Sequence, residues 1–175
     1  MITCPYCDYH NIEGMDVCEQ CGQPLDDLHL PDPTTAVERG LLADTIASLS
    51  PRSPVTVAGA TPVGEVLNLL VEREIGCVFI VDDDQIKGVF SERDALIRLN
   101  ANFAALKHEP VAKFMTPSPQ SLEAETRICF AVQRMDLGGF RHVPIVDESE
   151  RVQGVISVRD ILRYLTEKMT ETSTG

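Results

Sequence analysis

No apolar run in this sequence reaches the roughly 18–20 residues that a membrane-spanning helix needs. The N-terminal segment MITCPYCDYH also lacks the basic patch and apolar core of a signal peptide. A cytoplasmic location with no membrane attachment is the expectation. Lysine and arginine are missing altogether from residues 1–34, which carry seven acids: Asp8, Glu13, Asp16, Glu19, Asp26, Asp27 and Asp32. The remaining chain is closer to balance, with 20 acids against 15 bases. Nucleic-acid binding draws on clustered basic side chains that neutralise phosphates. An acidic N-terminal segment with none of them argues against that partner. Catalytic histidines are also hard to find. His29 and His108 lie in apparent connectors without an evident nucleophile or carboxylate dyad, so enzymatic activity is not expected.

What the N-terminus does contain is cysteine. Four of the six cysteines fall in the first 21 residues, as Cys4-Pro-Tyr-Cys7 and Cys18-Glu-Gln-Cys21-Gly. Two CxxC turns ten residues apart can present four thiolates tetrahedrally to one ion. The alternatives are a disulfide pair or four free thiols; a reducing cytosol and the regular spacing favour metal. Gly22 stands where the second turn needs positive φ. Tyr6, Tyr9 and Leu25 are the apolar residues available to cover the site. A segment this small cannot build an adequate core, so metal would supply most of its folding free energy. The run CPYCDYHNIEGMDVCEQCGQPL resembles the short zinc-ribbon family, with Asp8 where that family has glycine. The resemblance implies structural zinc on Cys4, Cys7, Cys18 and Cys21, with iron as a possible substitute. Four cysteines fill the shell, leaving His10 and His29 as solvated residues. Cys77 and Cys129 lie in apolar runs instead, and packing roles are expected for both.

The stretch Leu28–Thr35, LHLPDPTT, reads as a connector because of its two prolines. Thr35 and Glu38 then have capping-box spacing. Val37, Leu41, Leu42, Thr45, Ile46 and Leu49 follow at helical intervals, which predicts a helix ending before Pro51.

Beyond it the chain repeats itself. Ser53, Pro54 and Thr61 recur 65 positions later as Ser118, Pro119 and Thr126; Gly88, Ser91, Arg93 and Asp94 recur 66 positions later as Gly154, Ser157, Arg159 and Asp160. Each copy reads as strand, helix, strand, strand, helix. Val63, Val66, Leu67 and Leu70 mark the buried face of one helix; Ile128, Ala131, Val132 and Met135 mark that of its counterpart. Thr61 and Thr126 are candidate N-caps, with Pro62 in the first helical position. CVFIV and HVPIV are buried strands, DDDQ and DESE the turns after them, and KGVFS and QGVIS second strands. ERDALIRLNANF and VRDILRYLTEKM are amphipathic closing helices.

The endings GVFSERD and GVISVRD, with the lead-in Met115-Thr116-Pro117 and its weaker counterpart Leu49-Ser50-Pro51, resemble CBS domains, named from cystathionine β-synthase. The resemblance implies an α+β fold of two tandem CBS repeats, β-α-β-β-α each, forming one pseudo-two-fold module beside the small ribbon. The expected divisions are 1–27 for the zinc ribbon, 28–40 for the linker and the start of a connecting helix, 41–107 and 108–168 for the repeats, and 169–175 for a flexible tail. Two such modules often form a homodimer in that family.

Ser91 with Asp94, and Ser157 with Asp160, have the spacing of helix capping boxes. The resemblance adds a second role, in which the Asp accepts hydrogen bonds from ribose hydroxyls and the Ser lies near ribose or phosphate. A helix N-terminus favours phosphate. The copies differ on that side. Repeat two has Arg141 and His142 before Val143-Pro144-Ile145, whereas repeat one has Gly76 and Cys77 there, and Phe79 in place of Pro144. Arg93 and Arg159 are further cationic candidates. The Asp160 site is therefore expected to be competent, with adenine against the Pro119–Ser121 and Val143–Ile145 segments, including Gln120 and Ile145. The Asp94 site is expected to be empty, specialised, or aided by Arg141.

These features lead to a non-enzymatic regulatory module that binds an adenosine-containing ligand, AMP, ADP or ATP first, and signals to an unidentified partner protein. A constitutive adaptor with degenerate ligand sites and the ribbon as its docking surface is the alternative. An electron carrier, with iron on the four thiolates as in rubredoxin, is a third reading.

Overall fold

The fold was analysed in a computed structural model that describes residues 2–4, 6–7, 9–12, 14–25 and 35–171. Asp8, His29, the connector over 28–34 and the chain end after 171 lie outside the described residues. Two compact units emerge, and they cut across the sequence repeats. One comprises residues 50–124 and 141–157; the other takes 1–49, 125–140 and 158–175.

The first of these units holds the two larger sheets. In repeat one, β3 (Thr56–Val57) leads into α2 (Val63–Glu72), then β4 (Cys77–Asp82) and β5 (Gln85–Ser91); α1 (Ala36–Ala43) belongs to the other unit. Burial drives this arrangement. Val63, Val66 and Leu70 from α2 pack with Val78, Ile80, Phe90, Leu99 and Val111 in one apolar cluster, and Leu67 borders it. β3 runs parallel to β4, and β4 antiparallel to β5. The β4–β5 turn has two residues, Asp83 and Asp84, with φ of 54° and 59°. That is the primed turn which matches strand twist, and aspartate tolerates positive φ better than most side chains. Repeat two builds the same pattern from β7 (Leu122–Glu123), β8 (His142–Val146) and β9 (Val152–Ser157). The duplication extends to an irregularity in register, which falls between Ile80 and Val81 in one sheet and between Ile145 and Val146 in the other.

The two repeats exchange their lead-in segments. β6 (Thr116–Pro117), which precedes repeat two, pairs with β5 of repeat one. Arg52, which precedes repeat one, pairs with Val155 of β9 through two backbone hydrogen bonds of 3.0 and 2.9 Å. Glycine is required where each crossing occurs. A Cβ on Gly88 would stand 2.9 Å from the Thr116 carbonyl oxygen, and one on Gly154 would stand 2.8 Å from the Pro51 Cβ. This gives a packing reason for the glycine that opens each GVFS or GVIS run.

In the other unit, α1 (Ala36–Ala43) begins at the expected Thr35–Glu38 capping box. The helix predicted to continue towards Pro51 does not. Asp44 is extended, with ψ 146°, and the chain resumes as a single 3-10 turn over Ile46–Leu49. The break is repaid in hydrogen bonds to the approach to α5 (Ile128–Gly138): Ile46 donates to the Thr126 carbonyl, and Ile128 donates to that of Asp44. α1 also packs on α6 (Val158–Glu171). There the Tyr164 hydroxyl donates to Asp44 Oδ2 at 2.7 Å, and Lys168 Nζ lies 3.3 Å from the same oxygen. Gly40 leaves room for the Tyr164 ring, since a Cβ there would fall 2.1 Å from its hydroxyl.

Several sequence expectations need correction. The caps preceding α2 and α5 are Pro62 and Arg127, neither with a side-chain cap bond; the carbonyls of Thr61 and Thr126 instead accept from Val111 and Ile46. Val132 is exposed, and Arg134 takes the buried position beside Met135. The closing helix of repeat one is irregular. A single turn, α3 (Glu92–Asp94), passes into a π turn over Ala95–Leu99, a 3-10 turn, and α4 (Phe103–Leu106). Asn100, with φ 42°, interrupts it. Only α6 runs as the continuous helix expected in both copies.

The Tyr164–Asp44 bond yields a prediction with a pH signature. Donation from Tyr164, followed by the influence of Lys168, holds the Asp44 carboxyl below its ordinary 3.8. A carboxyl with a lowered folded value stabilises the fold above its unfolded value and loses that contribution as pH falls through the folded one. Tyr164→Phe should cost about 1 kcal/mol at neutral pH. The gap between wild type and variant, read from urea unfolding, should narrow below pH 3.8. An equal gap at neutral and acid pH would refute the assignment.

Candidate functional site

Two sets of residues carry chemistry, and the cysteine cluster is the more self-contained. β1 (Ile2–Thr3) and β2 (His10–Asn11) form a short antiparallel pair that holds the first knuckle. Gly22 has φ 70°, as its turn requires, and its amide donates to the Cys18 carbonyl. The sulfurs of Cys4, Cys7, Cys18 and Cys21 all lie within 4.8 Å of one another. Cys4 and Cys21 are 3.7 Å apart, Cys7 and Cys18 3.6 Å. Such separations are far too long for a disulfide. They match the roughly 3.8 Å edge of a sulfur tetrahedron around an ion with bonds of about 2.3 Å.

Asn11, which the sequence reading missed, is almost wholly buried beside this cluster. Its amide nitrogen lies 3.5 Å from Cys18 Sγ, and its oxygen accepts from the Glu19 amide at 3.0 Å. Burial pushes the Cys4 thiol up to about 12. Burial acts on Cys18 too, but amide donors at Cys21 and Gln20, with Asn11, bring it down to about 6. A thiolate favoured at Cys18 suits a metal ligand. Tyr6 packs edge-on against Phe130 of α5, with centroids 5.3 Å apart and planes at 85°. The ribbon is thereby seated on its own unit. Tyr9, expected to cover the cluster, is exposed instead.

The second set lies at the ends of the strands. Ser91 caps α3 in the expected box: the Asp94 amide donates to Ser91 Oγ, and Asp94 Oδ2 accepts from the Ser91 amide at 3.0 Å and hydroxyl at 2.6 Å. Asp94 Oδ1 is engaged as well. It accepts from Thr116 Oγ1 at 3.1 Å and faces Arg98 Nε at 3.4 Å. Arg98 was not singled out from the sequence, although Asp94 and Arg98 have i,i+4 ion-pair spacing, and Thr116 was noted only within the Met115–Pro117 lead-in.

In repeat two, His142 and Ser157 are direct register partners across β8 and β9, and Ile145 pairs with Leu122. Ile145 is buried, whereas Gln120, Arg141 and the first copy's Arg93 are exposed. The His142 ring lies against Gly76, where a Cβ would come within 2.7 Å of Cε1 and Nε2. Repeat one's lack of a side chain at Gly76 thus makes room for a side chain of repeat two. Arg159 and Asp160 belong to the other unit. There Asp160 is 6% exposed, with Arg163 Nη1 at 3.5 Å from its Oδ1, and Arg159 is exposed. Cys77 is buried; burial first, then the charges of Glu92 and Asp94, push its thiol up to about 12. It packs as expected, while Cys129 is only half-buried.

A family model of the CBS domain matches residues 46–101 and 111–167. The chain belongs to the CBS-domain family. A CBS-domain protein from Pyrobaculum aerophilum, solved in complex with AMP, is 26% identical, with a TM-score of 0.61 over 70% of this chain and 98% of that one. A CBS domain pair solved in complex with 5′-methylthioadenosine and S-adenosyl-L-methionine is 21% identical and supports the fold alone, with a TM-score of 0.62 over 71% of this chain and 97% of that one. The meiotically up-regulated gene 70 protein of Schizosaccharomyces pombe is 30% identical over 109 residues, 62% of this chain. The chain spans only 15% of that relative's length. The CBS matches begin at residue 46, so the cysteine cluster lies outside them. No helix among the described residues is long and apolar enough to cross a membrane.

The cysteine geometry predicts one metal ion per chain and a positioning role for Asn11. Asn11→Ala should weaken metal affinity by about tenfold or more, read by competition with a chromophoric chelator. Cys18→Ser should abolish stoichiometric binding. Unchanged affinity in the Asn11 variant would remove its hydrogen bond from the account of the site.

Proposed function

We propose that this CBS pair is a non-enzymatic regulatory module whose competent ligand site is anchored by Asp160 and takes an adenine nucleotide. Asp160 would accept from the ribose hydroxyls, with Ser157, His142, Arg141 and Arg159 serving the ribose and phosphate. Adenine would rest on the Pro119–Ser121 and Val143–Ile145 segments, with Gln120 and Ile145 among them. The observation that carries this reading is the AMP complex of the 26%-identical CBS protein. The His142–Ser157 pairing supports it, because the basic residue of repeat two stands beside a proposed ribose or phosphate residue. On the same reading the ribbon holds structural zinc, or iron as its substitute, and occupies 1–27; the repeats occupy 41–107 and 108–168.

Ligand binding would act by favouring one of two geometries of the pair, and the result would pass to a partner protein. Leu96 and Leu162, which stand 66 residues apart in corresponding positions, are 77% and 56% exposed. Large apolar groups left outside in both copies support a homodimer formed through these helices. Asp94, whose two oxygens are engaged within the chain, supports the adaptor alternative for that one site.

Calorimetric titration of metal-loaded protein with AMP, ADP, ATP, NAD and S-adenosylmethionine tests the reading. An adenine nucleotide should bind, and Asp160→Ala should weaken it by about a hundredfold, as expected when a charged hydrogen-bonding group worth about 1.5–3 kcal/mol is lost from a site. Absence of binding by any of these ligands in folded protein would favour the adaptor.

A further inference from the structure

Arg98 makes a set of contacts that no capping role requires. Its Nε faces Asp94 Oδ1 at 3.4 Å. One terminal nitrogen donates to the carbonyls of Phe114, at 3.0 Å, and Met115, and the other donates to Thr116 Oγ1 at 3.0 Å. Thr116 in turn donates to Asp94 Oδ1 at 3.1 Å. The π turn over Ala95–Leu99 carries Arg98 at the i+4 position from Asp94. One guanidinium thus joins the Asp94 carboxylate to the crossing segment that becomes β6.

We propose that Arg98 is an internal latch, holding the Asp94 carboxylate and the 114–116 backbone in place of a ligand, so that the Asp94 site stays shut while Arg98 is bound. This rests on the nucleotide reading above. The chemistry is direct competition. A ribose presents hydroxyl donors to a carboxylate; Ser91 already uses Oδ2, and Thr116 with Arg98 uses Oδ1. Opening the site means removing a donor that is charged, fork-shaped and tied to two carbonyls as well. Repeat two is built differently at this point. Tyr164 stands 66 residues after Arg98, and its hydroxyl donates to Asp44. The residue that latches one carboxylate is therefore replaced, in the other copy, by one that donates to Asp44, and the guanidinium facing Asp160 comes instead from Arg163, one residue earlier in the helix than the position of Arg98.

The experiment compares wild type, Arg98→Ala and Arg98→Tyr, the last carrying the residue of the second repeat. Circular dichroism verifies folding, and AMP is the calorimetric probe. Wild type should bind one AMP per chain and the Arg98 variants two. The extra site should vanish in Arg98→Ala/Asp94→Ala and persist in Arg98→Ala/Asp160→Ala. Amide exchange provides a readout that needs no ligand: protection over 114–118 should fall by about tenfold in both Arg98 variants. Two sites in wild type, or one in every variant, would overturn the latch and leave the Asp160 reading intact. Exchange over 114–118 unchanged by either substitution would also overturn it. Failure of every variant to bind AMP, with exchange changed as expected, would instead sink the nucleotide reading and restrict Arg98 to bracing the crossing segment.

Discussion

The exchange of lead-in segments is the constraint on which this CBS pair depends. β6 adds to the sheet of repeat one, and Arg52 pairs with β9 of repeat two. Neither repeat completes its sheet from its own residues. Backbone hydrogen bonds impose this exchange, and they demand close approach. At Gly88 the Met115 side chain and the Thr116 carbonyl, and at Gly154 the Pro51 ring, occupy the space that a side chain would take. The glycine of each signature is consequently a packing residue first. Its invariance within this chain's two copies needs no ligand to explain it.

That crossing also fixes what lies near the candidate ligand residues. Thr116 reaches Asp94 only because β6 lies on β5. His142 occupies the place beside Gly76 because the strand ends of both repeats meet within one unit. A duplicated sequence has therefore produced two unlike carboxylates. One accepts from Ser91 and Thr116 and faces Arg98; the other faces Arg163 at the start of a long regular helix and has a histidine in the strand pair that precedes it. Small local differences, Gly76 against a side chain and Arg98 against Tyr164, account for the divergence.

Much of this was legible in the sequence, for physical reasons that can be named. The strands follow from the apolar runs, and the tight turn of repeat one from Asp83 and Asp84, which tolerate positive φ; the turn of repeat two is longer and places its positive φ at Glu150. The cysteine cluster follows from the spacing of Cys4, Cys7, Cys18 and Cys21, since two tight turns leave few ways to place four sulfurs. The Thr35 and Ser91 boxes follow from a hydroxyl and an acid three residues apart. What could not be read depended on contacts distant in sequence. The break at Asp44 is compensated by amides and carbonyls near residue 127. Thr61 and Thr126 were the natural caps by local chemistry, but their carbonyls serve neighbouring segments. Arg134 is buried with Ile128, Ala131 and Met135 while Val132 is exposed, contrary to hydropathy, and Asn11 shows no pattern until the ribbon is folded around it.

The ribbon's position follows from the same logic of incomplete parts. Its described segment has too little apolar surface to stand alone, and its thiolates account for its local order only if an ion holds them. Yet Tyr6 meets Phe130 on α5, so part of the ribbon's apolar surface is covered by the helix of repeat two. Aromatic edge-to-face contact adds about 0.5–1.5 kcal/mol beyond area burial. That is enough to bias where the ribbon rests and too little to hold it alone. Were an ion held by the four cysteines, its binding and docking on α5 would be linked: an ion that orders the first knuckle would also present Tyr6, and docking would in turn favour the ordered knuckle. Any surface the ribbon offers to a partner is positioned through α5, which places it within reach of whatever changes the helices of the second repeat.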